Sequence, residues 1–224
     1  MDLIFVFLGT SGHPSDFIGN CPVQKSIPGF RHTNISVIGV AVLENATEDI
    51  ETFLDMGCDP NFNETFLTYI DKFTQCVNPI FQKLGISCSR VEKLEGFTPL
   101  ILAVLHGTSE TVDKLAQPTQ IKLDSATSDS KSALWLAANS GMLVKVKIIV
   151  EAGADIEMGG GEDLMTALGA SVKGNHSDVI KYLIRKDANV NSRDSRGATP
   201  SHFAVSQGNL EILKVLKKLV LILM

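Results

Sequence analysis

Gly197-Ala198-Thr199-Pro200-Ser201-His202-Phe203-Ala204, with the apolar run that follows it to Leu216, carries the start of one helix and leads into a second. Thr199 suits an N-cap, because its hydroxyl can accept a hydrogen bond from one of the orphan backbone N–H groups of a helix start. Pro200 then stands at the first helical position, where its missing N–H costs nothing. Phe203 and Ala204 begin a short apolar face, and Gly208-Asn209 breaks the helix. Leu210, Ile212, Leu213, Val215 and Leu216 recur at helical spacing and form a second face. One helix–turn–helix of this size cannot bury its own apolar surface, so neighbours of the same kind are expected. Upstream, Thr166 opens Thr166-Ala167-Leu168-Gly169-Ala170, Ser132 opens Ser132-Ala133-Leu134-Trp135-Leu136, and Thr98 opens Thr98-Pro99-Leu100-Ile101. The spacings, going back from Thr199, are 33, 34 and 34 residues.

These units resemble the ankyrin repeat. Thr199-Pro200-Ser201-His202 differs at one position from the Thr-Pro-Leu-His signature of that family, and the spacing matches its period of about 33 residues. The resemblance implies an all-α solenoid of stacked helix–turn–helix units with projecting turns. It also implies binding of another protein as the function. Residues 1–34, with Pro14, Pro22 and Pro28 in an aperiodic mix, read as an irregular N-terminal extension. Residues 35–95 read as divergent repeats, and 96–224 as about four repeats of which the last lacks a polar cap.

Along 35–95, Val37, Ile38, Val40, Ala41 and Val42 form an expected inner helix, and Ile50, Phe53 and Leu54 the face of an outer one. Gly57-Cys58-Asp59-Pro60-Asn61 is similar to the Gly-Ala-Asp-x-Asn corner of the family. Phe66, Leu67, Ile70 and Phe73 suggest a helix, Asn78-Pro79 a fresh start, and Leu84-Gly85 an end. After Gly96 the second helix is expected over Thr111–Ala116, cut off by Gln117-Pro118. In the Ser132 unit, Val144, Ile148 and Ile149 are the expected apolar face of the outer helix. Gly153-Ala154-Asp155 is its corner, and Gly159-Gly160-Gly161 reads as an extra flexible element. In the Thr166 unit, Leu168, Val172, Val179, Ile180, Leu183 and Ile184 are the expected core.

The composition excludes several functions. With 224 residues and 44% hydrophobic content, a buried core is within reach and wholesale disorder is not expected. A net charge of −5 argues against a nucleic-acid partner. Leu3–Leu8 is apolar but ends at Gly9, far short of the roughly 20 residues a membrane helix needs. It also lacks the positive flank of a signal peptide, so membrane association is not expected. Cys21, Cys58, Cys76 and Cys88 contain no C-x-x-C pair and read as reduced thiols, which points to the cytoplasm, with the nucleus as the alternative.

His13, His32, His106, His176 and His202 show no metal-ligand spacing, and no catalytic constellation emerges; neither metal, cofactor nor enzymatic activity is expected. By resemblance, His202 bonds a turn of its own or the next repeat. Trp135 occupies the same slot one unit earlier and reads as packing. Gly159-Gly160-Gly161 lacks the Lys-Ser/Thr of a phosphate loop.

Function is therefore expected on the architecture. In stacked repeats the turns project together and the inner helices line a concave groove. The candidate partner-binding residues are the turn positions before each cap: Glu95 and Phe97, Asp129 and Lys131, Asp163 and Met165, Arg196 and Ala198. On the groove wall, His106, Ser140 and Gln207 join them. Phe97 and Met165 are the expected apolar anchors between charges. The leading expectation is an intracellular adaptor or scaffold. The alternative is the regulatory portion of a larger enzyme or signalling protein of which this chain is a fragment. The apolar end Val220-Leu221-Ile222-Leu223 adds an expectation of self-association. The resemblance also makes Asn191, eight residues after Leu183, a candidate for hydroxylation.

Overall fold

The computed structural model describes residues 37–43, 45–55, 57–61, 64–67, 93–117 and 121–223. The expected extension over 1–34, Ile70, Phe73, the Asn78-Pro79 start and the Leu84-Gly85 stop lie outside the described residues. So do the side chains of Glu95, Val220, Leu221, Ile222 and Leu223. The chain forms two compact units, Met1–Lys122 and Leu123–Met224.

Among its described residues the first unit holds two stacked helix pairs. Helix α1 (Val37–Leu43) packs on α2 (Thr47–Asp55) and on α3 (Pro99–His106); α4 (Ser109–Ala116) packs on α2 and α3. Ile38, Ala41, Val42, Ile50 and Phe53 are buried, and α3 buries every residue from Pro99 to Val104. Thr98 starts α3 by accepting the Ile101 N–H on its hydroxyl at 3.3 Å, and Thr108 starts α4 by accepting the Thr111 N–H at 3.1 Å. Across the outer helices the Lys114 ammonium sits 3.0 Å from the Glu51 carboxylate, whose hydrogen bond raises the lysine pKa.

Between the pairs in chain order comes an antiparallel ribbon, β1 (Glu64–Leu67) with β2 (Lys93–Phe97), in the register Glu64↔Phe97, Phe66↔Leu94 and Leu67↔Lys93. The helix expected at Phe66 and Leu67 is therefore a strand. Thr, Phe and Leu in so short a run suit a pleated surface as well as a helix, and a partner strand decides the matter.

The second unit stacks three pairs. Its inner helices are α5 (Ala133–Asn139), α7 (Ala167–Lys173) and α9 (Pro200–Ser206); its outer helices are α6 (Leu143–Glu151), α8 (Ser177–Arg185) and α10 (Leu210–Leu223). Helix α7 packs against both α5 and α9, and α8 against both α6 and α10. Every residue from Ala167 to Val172 is buried, and their small size lets the inner helices approach closely. Leu168, Val172, Val179, Ile180, Leu183 and Ile184 are all buried. In α6 the inward face is Lys145, Val146 and Ile149, while Val144 is 57% exposed and Ile148 half-buried. This helix is apolar nearly all round, so periodicity alone misplaces its buried stripe; the inward side shifts round the helix from Val144 to Lys145 and Val146.

Hydrogen bonds about one repeat apart tie the pairs together. The Asp155 N–H donates to Asp124 at 2.9 Å, the Asn189 N–H to Glu157 at 2.7 Å, and Gln207 Nε2 to the Lys173 carbonyl at 2.8 Å. Asn209 Nδ2 donates to Asn175 Oδ1 at 2.6 Å, and His176 Nε2 lies 2.9 Å from the Asn139 carbonyl.

Candidate functional site

Each inner helix of the second unit is preceded by a tight turn, and these three turns are bonded into a row. In the first, the Thr127 N–H donates to the Lys131 carbonyl at 3.1 Å and the Lys131 N–H returns to Thr127 Oγ1 at 3.2 Å. The Lys131 ammonium pairs with the Asp129 carboxylate and lies 5.8 Å from the centre of the Trp135 ring. Partial burial pushes the Asp129 carboxyl up. Hydrogen bonds from Lys131 and Thr127, with the lysine charge, outweigh this and hold it below its ordinary value of 3.8.

In the second turn, Gly160 and Met165 exchange two backbone bonds of 2.8 and 2.9 Å. The Gly161 N–H reaches back to the Ser130 carbonyl at 3.3 Å, and the Trp135 indole N–H donates to the Met165 carbonyl at 2.9 Å. Gly160 and Gly161 thus pack under the indole and Gly159 against the Leu164 carbonyl, so the three glycines are a packed element rather than an extra flexible one. A Cβ at Gly160 would lie 2.7 Å from the Ser130 oxygen and 2.8 Å from the Trp135 ring.

In the third turn, Asp194 Oδ1 accepts the N–H groups of Arg196 at 2.9 Å and Ala198 at 2.7 Å. The Ser195 N–H donates to the Asp163 carbonyl at 2.7 Å, and the Arg196 guanidinium meets the Asp163 carboxylate at 2.7 Å. His202 Nδ1 accepts the Thr199 N–H at 3.1 Å and lies 2.8 Å from the Thr199 hydroxyl. Thr199 is thus the N-cap of α9 and closes a capping box with His202, the cap that the sequence leads one to expect. The signature histidine bonds within its own repeat.

Asp129, Lys131, Asp163, Arg196 and Ala198 therefore share one row of turns. Met165 does not present an anchor there: it is 3% exposed, with its side chain against Gly169. Pairing with Gly160 places Met165 inward, and its neighbour Leu164, a turn residue, is the one exposed. Leu164 is 53% exposed and has φ of +51°. A bulky residue in the left-handed region is uncommon and strained. Two adjacent apolar residues at a turn are the signal that one of them must face solvent; which one depends on a pairing partner that periodicity does not reveal.

Ser140 and Gln207 are exposed and follow α5 and α9, at the opposite end of the inner helices from the turns, about 10 Å away by helical rise. In the first unit, Glu95 and Phe97 lie on β2, Phe97 half-buried, and His106 is the half-buried last residue of α3. Among the described residues no His, Cys, Asp and Glu cluster suits a metal ion, and no helix is long and apolar enough to cross a membrane.

Comparison with known proteins agrees with this geometry. The family model for ankyrin repeats (3 copies) matches residues 71–159 and 134–220. The chain is 35% identical over 202 residues to the Caenorhabditis elegans "Ankyrin repeat and KH domain-containing protein mask-1", covering 88% of this chain and 7% of that protein. It is 34% identical over 90 residues to the C. elegans "BRCA1-associated RING domain protein 1", covering 40% of this chain and 12% of the other. Identity to the Gallus gallus "Nuclear factor NF-kappa-B p105 subunit" is 23% over 211 residues, 87% of this chain and 21% of the other. The chain spans less than a quarter of each of these relatives.

Proposed function

This chain belongs to the ankyrin-repeat family, whose repeats generally serve protein–protein interaction and are typically non-catalytic, and from that premise we propose that it is an adaptor that docks a protein partner on the turn row of its second unit. One observation carries the reading. Leu164 is held exposed in a strained backbone conformation beside the Asp163–Arg196 ion pair, in a scaffold that fixes its place by backbone bonds on both sides. The left-handed backbone belongs to the turn itself, since Gly96, Ser130 and Gly197 hold the same place two residues before the cap with φ of +84°, +60° and +80°; what sets this turn apart is the leucine side chain it exposes there. An apolar side chain ringed by charges is the arrangement of an interface centre with its polar rim. The expected partner surface offers an apolar recess flanked by both signs of charge.

The test is capture of partners with the whole chain, followed by titration calorimetry of the one recovered. Replacing Lys131, Leu164 and Arg196 together with Ala should leave the thermal melt nearly unchanged and weaken binding by about tenfold or more, since a few central contacts dominate an interface. Unchanged affinity would remove the turn row from the interface.

A second reading, that these repeats regulate a larger enzyme or signalling protein, is favoured by the small share of each relative that the chain spans. The apparent mass of the native protein on an immunoblot separates the two. The cysteine pattern favours the cytoplasm, which cell fractionation checks.

A further inference from the structure

On the second unit, where Asn191 and Ser201 flank the third turn, the last helix pair carries an open groove of 530 Å³. Its floor is Val190, Leu210, Leu213 and Leu216, and its rim is Lys214 and Lys217. We propose that this groove docks an acidic amphipathic helix of another protein, as a second surface independent of the turn row.

The warrant is the face that α10 turns to it. Leu210, Leu213, Lys214 and Lys217 fall at i, i+3, i+4 and i+7, the spacing that keeps four residues on one side of a helix. That side runs from apolar to basic along the axis. Ile212 and Leu216 are buried on the inward side, whereas Leu210 is 68% exposed. Lys214 and Lys217 are exposed and form no ion pair with any described residue. In a chain of net charge −5 this is a local basic rim around an apolar recess. A helix laid in such a groove buries leucine-type anchors at i, i+3, i+4 and i+7, and its glutamates or aspartates meet the two lysines.

A second copy fits less well. An isologous dimer places a patch against itself, so this face would bring lysines against lysines. A flat anionic bilayer leaves a recess of this volume unfilled.

The probe is a fluorescent helical peptide with leucines at i, i+3, i+4 and i+7 flanked by glutamates, titrated with the whole chain by anisotropy. A second peptide carries lysines in place of the glutamates. The glutamate peptide should bind at least about tenfold more tightly, and added salt should weaken it. In the double variant Lys214→Glu, Lys217→Glu that preference should reverse, a rescue that a merely unfolded protein cannot give. Leu210→Asp should weaken both peptides, while the turn variant Lys131→Ala, Leu164→Ala, Arg196→Ala should bind the glutamate peptide as the native chain does. Equal affinity for the two peptides, or no binding of either, overturns the proposal. So does a dimer in sedimentation velocity that Leu210→Asp dissolves, or binding to anionic lipid vesicles that competes with the peptide.

Discussion

At Leu164 the proposed interface sets an apolar side chain on a left-handed backbone. Its φ of +51° costs roughly 1–2 kcal/mol for an L-residue with a Cβ, and asparagine tolerates that region better. Leu164→Asn is therefore expected to keep or raise stability, by about 1 kcal/mol at most, while weakening the partner about tenfold. Denaturant melts beside calorimetry check it; a destabilised variant would mean that the leucine packs for the fold. One turn earlier in the row, Asp129 is a different kind of contributor. Its folded pKa lies below its ordinary value of 3.8, so its contribution is present above that value and is lost as pH falls through the folded one. Asp129→Asn should lower the melting temperature at neutral pH, by an amount that shrinks as pH falls through the folded pKa of the native carboxyl. The sequence leads to this row through the residues before each cap, and to Asp129, Lys131, Asp163 and Arg196 within it. It names Met165 as the anchor because hydrophobicity is the same for two adjacent residues. Only the Gly160–Met165 pairing says which one turns out.

Among the elements, the helices of the second unit are legible because each inner helix starts at a Ser or Thr and each pair is separated by a turn signal. The ribbon of the first unit is not, since a four-residue strand carries no period that a helix lacks. Nor is the buried side of α6, where apolar residues occupy too many faces. The loop Gly159–Gly161 makes the same point for flexibility: glycine permits motion, and here it permits an indole to lie close. Gly160→Ala must push against the Ser130 carbonyl and the Trp135 ring, which is expected to cost about 1–3 kcal/mol. A loss of indole fluorescence burial measured by quenching would accompany it; an unchanged melt would show that the loop yields. In α8, Leu183 is fully buried, and Leu183→Ala should cost about 2–5 kcal/mol by chemical denaturation. A loss below about 0.5 kcal/mol would move the core face elsewhere.

Across the second unit as a whole, stability is shared between neighbours rather than concentrated in one centre. Helix α7 has a helix on each side and buries Ala167–Val172 entirely, whereas α9 buries only Pro200 and Ala204. Amide hydrogen exchange should accordingly be slower in α7 and α8 than in α9, by about tenfold or more. Uniform rates across the unit would indicate a single cooperative block. The bonds that tie one pair to the next also constrain how such a chain changes length over generations. His176 reaches a partner 37 residues back, Asn189 one 32 back, and Gln207 and Asn209 partners 34 back. A codon gained or lost inside a helix rotates every later side chain by about 100° and breaks several of these at once. Duplicating or deleting one whole period returns each donor to an equivalent acceptor. Surviving length variants of this molecule should differ by full repeats or by residues in the loops, and seldom by anything in between.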